Sequence, residues 1–199
     1  MANNRMRVVL FGTWALLVVV CLLSVILQRP VWTLDAVVLG LVFSGLYLLR
    51  RVLNLTGFVF FLMAGVVLGH CLGGVLGAYE KTFFGAEFDS YIHSYNSFVM
   101  GLAAFGYMRK IKAGIVETAA MAMLLALGLG LLNELVEYAG YRIGGTGDGL
   151  FLFGPGDIGA ESAFDNLMTD FFHDFYGNAA GIAAGLAWWA AKGRKKAAD

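Results

Sequence analysis

Hydrophobic and polar positions along this chain do not alternate; apolar residues come in long runs joined by short polar stretches. A helix needs ~20 apolar residues to cross ~30 Å of hydrocarbon. Six segments of about that length are expected, over residues 8–27, 31–49, 55–79, 89–108, 111–138 and 166–191. Arg29-Pro30 separates the first two, because proline cannot continue a helix interior. Arg5 and Arg7 ahead of the first run imitate a signal peptide, but the run is too long and lacks a small-residue cleavage site. The expected fold class is all-α: a polytopic membrane helix bundle of six transmembrane helices, with residues 1–199 forming one integral membrane domain.

Composition agrees. Apolar residues make up 59% of the 199 positions, charged residues only 14%, and a soluble domain of this length has too much surface to be so poor in charge. Net charge is zero, which leaves no basic patch for nucleic acid. Cys21 and Cys71 fall inside apolar runs without a CxxC pairing, so they read as structural thiols.

Charge placement orients the segments. Arg5, Arg7, Arg50, Arg51, Arg109, Lys110, Lys112, Lys192, Arg194, Lys195 and Lys196 all fall on one side, leaving Arg29, Lys81 and Arg142 for the other. The positive-inside rule then predicts both termini in the cytoplasm of a bacterial inner membrane. The connection over residues 139–165 is glycine-rich with an apolar middle at 150–153, and a loop this long is expected to be functional or poorly ordered. Glycines repeat every fourth residue at Gly65, Gly69, Gly73 and Gly77 and again at Gly177, Gly181 and Gly185. Small residues so spaced let helices approach closely in lipid.

That orientation collects ionisable residues at the outer level. Asp89 and His93 come from the fourth segment, with Asn96 on the same stripe; Asn133, Glu134 and Glu137 from the fifth; Asp170, His173 and Asp174 from the sixth; and His70 from the third. The inner halves are mostly apolar, with Asp35, Ser44 and Glu117 as the main exceptions. At ~100° per residue, Asp170, Asp174 and Asn178 share an arc of ~100° with the Gly177 ladder, while Phe171, Phe172, Phe175 and Tyr176 face away. Asp165, three residues after Ser162, suits a capping box. His70, alone within a glycine ladder, is expected to be a core histidine with a hydrogen-bond partner.

An intramembrane carboxylate costs ~2.5–3.5 kcal/mol at the bilayer centre, and less towards the interface. Asp89, Glu134, Glu137, Asp170 and Asp174 would repel one another, with Arg142 the one nearby base. A bound cation, protonation or a wet vestibule can offset that repulsion. The histidines favour the cation: carboxylate with imidazole suits Zn, Mn or Fe, whereas carboxylate alone suits Mg or Ca. The candidate divalent metal ligands are Asp89, His93, Glu134, Glu137, Asp170, His173 and Asp174.

Phe88-Asp89-x-x-x-His93, Glu134-Leu-Val-Glu137-Tyr138, Gly156-Asp157, Phe164-Asp165-Asn-x-x-x-Asp170 and Gly177-Asn178-x-x-Gly181 together resemble a family of bacterial inner-membrane proteins similar to the VanZ-like group. The resemblance covers roughly residues 88–185, and His173-Asp174 adds to its pattern. It implies a small helical membrane fold with an acidic pocket, and no activity.

The expected function is a metal-dependent hydrolase or transferase acting on a lipid or lipid-linked substrate at the outer leaflet, with Glu134 or Glu137 as general base. Two alternatives stand beside it: a cation or proton transport protein, and an accessory subunit whose acidic face binds a partner or a pigment; a membrane-protein partner or a homo-oligomer is the expected association.

Overall fold

A computed structural model describes the backbone of residues 2–111, 114–144 and 163–198, and side chains within 4–111, 114–135, 165 and 167–191. Its elements are α1 (Ala2–Ile26), α2 (Val31–Leu49), α3 (Gly57–Val75), a hairpin of β1 (Thr82–Phe83) and β2 (Ala86–Glu87), α4 (Phe88–Lys110), α5 (Ile115–Gly144) and α6 (Ala163–Ala198). The connection at 145–162, with its apolar middle and the Ser162 cap, lies outside the described residues.

Local chemistry places the helix ends. Thr56 caps α3, its hydroxyl accepting from the Val59 amide at 3.2 Å. The preceding turn passes through Asn54 at φ 53°, and Asn54 Nδ2 donates to the Gly106 carbonyl at 2.9 Å, tying that turn to the end of α4. Between α1 and α2, Ser24 Oγ donates to the Arg29 carbonyl at 2.7 Å. The helix α3 stops earlier than the expected 79, because Gly77 takes φ +71° and the Ala78 amide bonds back to the Gly73 carbonyl at 2.8 Å. A left-handed residue closing the last turn is how glycine commonly ends a helix. Gly77 is therefore a turn residue, not a rung of the packing ladder. Arg29 grips the same turn through the Gly74 carbonyl at 3.1 Å and Glu80 at 2.8 Å.

Helices consecutive in the chain run antiparallel, and the six form two groups of three. In the first, α1, α2 and α3 pack around Leu17, Val20, Ala36, Phe43, Phe60 and Cys71. In the second, α4, α5 and α6 enclose Phe105, Ala122, Ala126 and Ile182. α4 joins them: on one side Phe88, Ile92 and Tyr95 fit against Gly73, Gly69 and Gly65 of α3. On its other side α4 meets α6, and the two run parallel. A Cβ at Gly177 would lie 2.5 Å from the Ser94 carbonyl oxygen, one at Gly181 would overlap the Phe98 carbonyl, and one at Gly185 would press on the Phe105 ring. Both glycine ladders thus admit α4, as small-residue spacing predicts.

Among the described residues four helices are long and apolar enough to cross a membrane unaided: α1, α2, α3 and the Ile115–Leu135 part of α5. α4 and α6 also have the length, at 23 and 36 residues, but polar residues interrupt their apolar stretches. Packing explains the difference. α4 is flanked by α3, α5 and α6, and its His93 and Ser97 are buried against protein. The outward faces of the other helices carry exposed Phe11, Leu22, Leu41, Phe61, Leu124 and Leu132.

Candidate metal centre

His93 lies in the second turn of α4 and is 8% exposed. Its Nδ1 stands 3.3 Å from Asp174 Oδ1 on α6 and 3.5 Å from Glu134 Oε1 on α5. Its Nε2 stands 3.6 Å from Asp89 Oδ2, one turn earlier on α4. Asp170 completes the group: Asp89, His93 and Asp170 offer ligand atoms within 4.8 Å of one another, as do His93, Glu134 and Asp174. Glu134, Asp170 and Asp174 are all buried, at 3%, 2% and 4% exposure. Three helices therefore aim four carboxylates at one imidazole.

Among the described residues, His93 is the one base that these contacts bring to the group. A fully protonated His93 would supply one positive charge against four carboxylates. Two unit charges ~4 Å apart repel by about 4 kcal/mol at an effective dielectric of ~20. The contacts at 3.3–3.6 Å are also longer than the ~2.7–2.9 Å of charge-assisted hydrogen bonds. A divalent cation among the carboxylate oxygens and one ring nitrogen would relieve the repulsion and use the same atoms. The field reaches beyond the helices: the Glu87 carboxyl, just ahead of α4, is raised above its ordinary range by burial and then by Asp89.

Supporting residues surround the group. Ser97, one turn below His93, donates its hydroxyl to Asp174 Oδ1 at 2.5 Å. Gly130, one turn from Glu134 on α5, makes room for Asp174, since a Cβ there would collide with its carboxylate. Asn178, fully buried on the Asp170–Asp174 face, has neither amide atom hydrogen-bonded to a described residue. Ser97 and Gly130 escape a search for ionisable residues. Their signal is spacing, i+4 from His93 and i−4 from Glu134.

Other candidates fall elsewhere. His173 is half-buried beside the centre and pairs through Nδ1 with Ser94 Oγ at 3.2 Å, outside both ligand groups. The Glu137 side chain lies outside the described residues, as do those of Tyr138 and Arg142. Asn96 leaves the Asp89–His93 stripe and lines an apolar cavity. His70 faces α2: its Nδ1 pairs with the Tyr79 hydroxyl at 2.6 Å and its Nε2 lies 3.5 Å from Asp35, with Trp32 against its ring. His70 is thus a core histidine with a partner, as its setting suggested. Asp35 corrects the reading that put it in the inner half. It lies in the first turns of α2, at the His70 end of the bundle.

The chain belongs to the family described as predicted membrane protein (DUF2238), which it matches over residues 7–192. That match gives no link to the VanZ-like group. No curated protein and no solved structure matches the chain.

Proposed function

We propose that this member of the DUF2238 family is a six-span inner-membrane protein that holds a divalent cation at Asp89, His93, Glu134, Asp170 and Asp174 near its outer face, and uses it for hydrolysis or group transfer on a lipid or lipid-linked substrate. The observation that carries the reading is the flanking of both His93 ring nitrogens by carboxylates from three different helices. Ionisable residues within a membrane bundle face inward and mark function.

The six-span count with both termini in the cytoplasm is supported by how the basic residues gather. Arg7 Nε donates to the Tyr47 hydroxyl at 3.2 Å, Lys110 Nζ to the Arg51 carbonyl at 3.1 Å, and the Arg109 guanidinium sits 4.8 Å from the Trp189 ring centre. These contacts join α1, α2, α4 and α6 at the end opposite the acidic centre, as expected if that end faces the cytoplasm.

Imidazole with carboxylates favours Mn, Fe or Zn over Mg or Ca. Such a cation lowers the pKa of a bound water or polarises a phosphoryl or carbonyl oxygen. Glu134 is the candidate general base, and Glu137, three residues on, the second. Transport is less well supported, because the stretches leading from the centre towards the opposite end of the helices are mostly apolar.

Elemental analysis of the purified protein tests the reading. About one Mn, Fe or Zn per chain is expected, falling to background in Glu134→Gln, Asp170→Asn and Asp174→Asn. Equal metal content in wild type and all three variants would falsify it.

A further inference from the structure

Beneath the candidate metal centre lies a cavity of about 420 Å³, formed between α2, α3, α4 and α5. Its walls include Leu39, Val42, Met63, Met100, Ala103 and Leu129, and its polar members are Asn96 and Tyr107. α5 packs on α4 and α6 but not, among the described residues, to any extent on α2 or α3. The cavity therefore occupies the gap between the two three-helix groups, with α4 as its floor. Its rim residues Val42, Leu125 and Leu129 are 53%, 38% and 46% exposed, so the gap opens sideways, out of the bundle.

We infer that this gap is a lateral site for a single acyl chain of a lipid whose headgroup lies at the level of the His93 centre. Three observations select that occupant. The first is solvent: apolar spanning helices put the opening against hydrocarbon, where chains rather than water fill an apolar space. The second is length. From Asn96 to Tyr107 α4 rises about 16 Å at ~1.5 Å per residue, about half of a ~30 Å hydrocarbon core. One leaflet's chain has that reach. The third is polarity: Asn96, three residues from His93, marks the end where a chain would meet its headgroup, and Leu129 leads within five residues to Glu134. A partner helix would need a longer and wider groove.

The inference deepens the metal-centre reading by naming the substrate class, an acylated amphiphile entering sideways, and it rests on that reading for the headgroup's role. The test uses the full chain in phosphatidylethanolamine/phosphatidylglycerol nanodiscs doped with a phospholipid carrying a mid-chain diazirine. After photolysis, peptide mapping is expected to find label several-fold enriched at Val42, Met63, Met100 and Leu129 over the outward-facing Leu22, Leu41 and Leu124. Ala103→Trp, which fills the gap, should reduce that enrichment several-fold with metal content unchanged. Even labelling of all apolar faces in wild type overturns the proposal whether or not the variant folds. So do disulfides forming between Met100→Cys chains, which would make the occupant a second copy. Cleft labelling without bound metal sustains the chain site and rejects the cation centre; bound metal with even labelling does the reverse.

Discussion

Two inward-facing histidines, one half-buried and one buried, show what decides between a structural residue and a candidate site. His70 has one carboxylate, Asp35, and closes its other nitrogen on the Tyr79 hydroxyl, with Trp32 stacked on Tyr79. One imidazole can balance one carboxylate, and aromatic rings seal the pair. His93 has a carboxylate at each ring nitrogen and four in its surroundings, from α4, α5 and α6. No proton arrangement on one ring neutralises four acids. The count of charges around each ring distinguishes the two.

Breaking the helix contact beneath His93 should have the largest effect. Gly181→Leu drives a side chain into the α4 backbone at Phe98, and overpacking there should cost ~3 kcal/mol or more. The expected result is loss of monodisperse protein in mild detergent. A well-folded variant that keeps its metal would show that α4 and α6 are not so closely apposed.

Chelation should give the next largest effect and separate the two histidines. A ligand present at ~100 times its Kd stabilises by about 2.7 kcal/mol, so EDTA should lower the melting temperature of wild type by several degrees. The same treatment should leave Asp174→Asn unmoved. Gly130→Ala, whose added methyl meets the Asp174 carboxylate, should respond like Asp174→Asn while keeping its helical circular dichroism. An EDTA shift of wild-type size in both variants would place the ion elsewhere.

The smallest effect belongs to the other group. Tyr79→Phe removes the hydroxyl from His70 and should destabilise by about 1 kcal/mol. Metal content and EDTA response should stay as in wild type. Metal loss in this variant would erase the contrast between the two histidines.

Much of this arrangement is legible in the residues. The apolar runs mark α1, α2, α3 and α5, since hydrocarbon demands nothing more specific than length and hydrophobicity. The glycine ladders announce close helix contacts, and Asp170 and Asp174 follow the ladder inward on α6. Other features resist such reading. Asn96 shares a stripe with His93, yet a shift of ~60° around α4 carries it from the α6 contact into the gap facing α2 and α3. His173 neighbours Asp174 in the chain but falls on Ser94, because consecutive helical residues point ~100° apart.

Local patterns of hydropathy and charge thus determined membrane residence, the helical class and which faces carry small or acidic residues, because each depends on neighbours a few positions away. Which faces meet was decided only in three dimensions. His93 turned towards Glu134 and Asp174, Asp35 towards His70, and the described residues of α5 stood largely clear of α2 and α3 through the packing of whole helices, whose contacts join residues as far apart as Ser97 and Asp174. Such pairings leave no periodic trace along the chain.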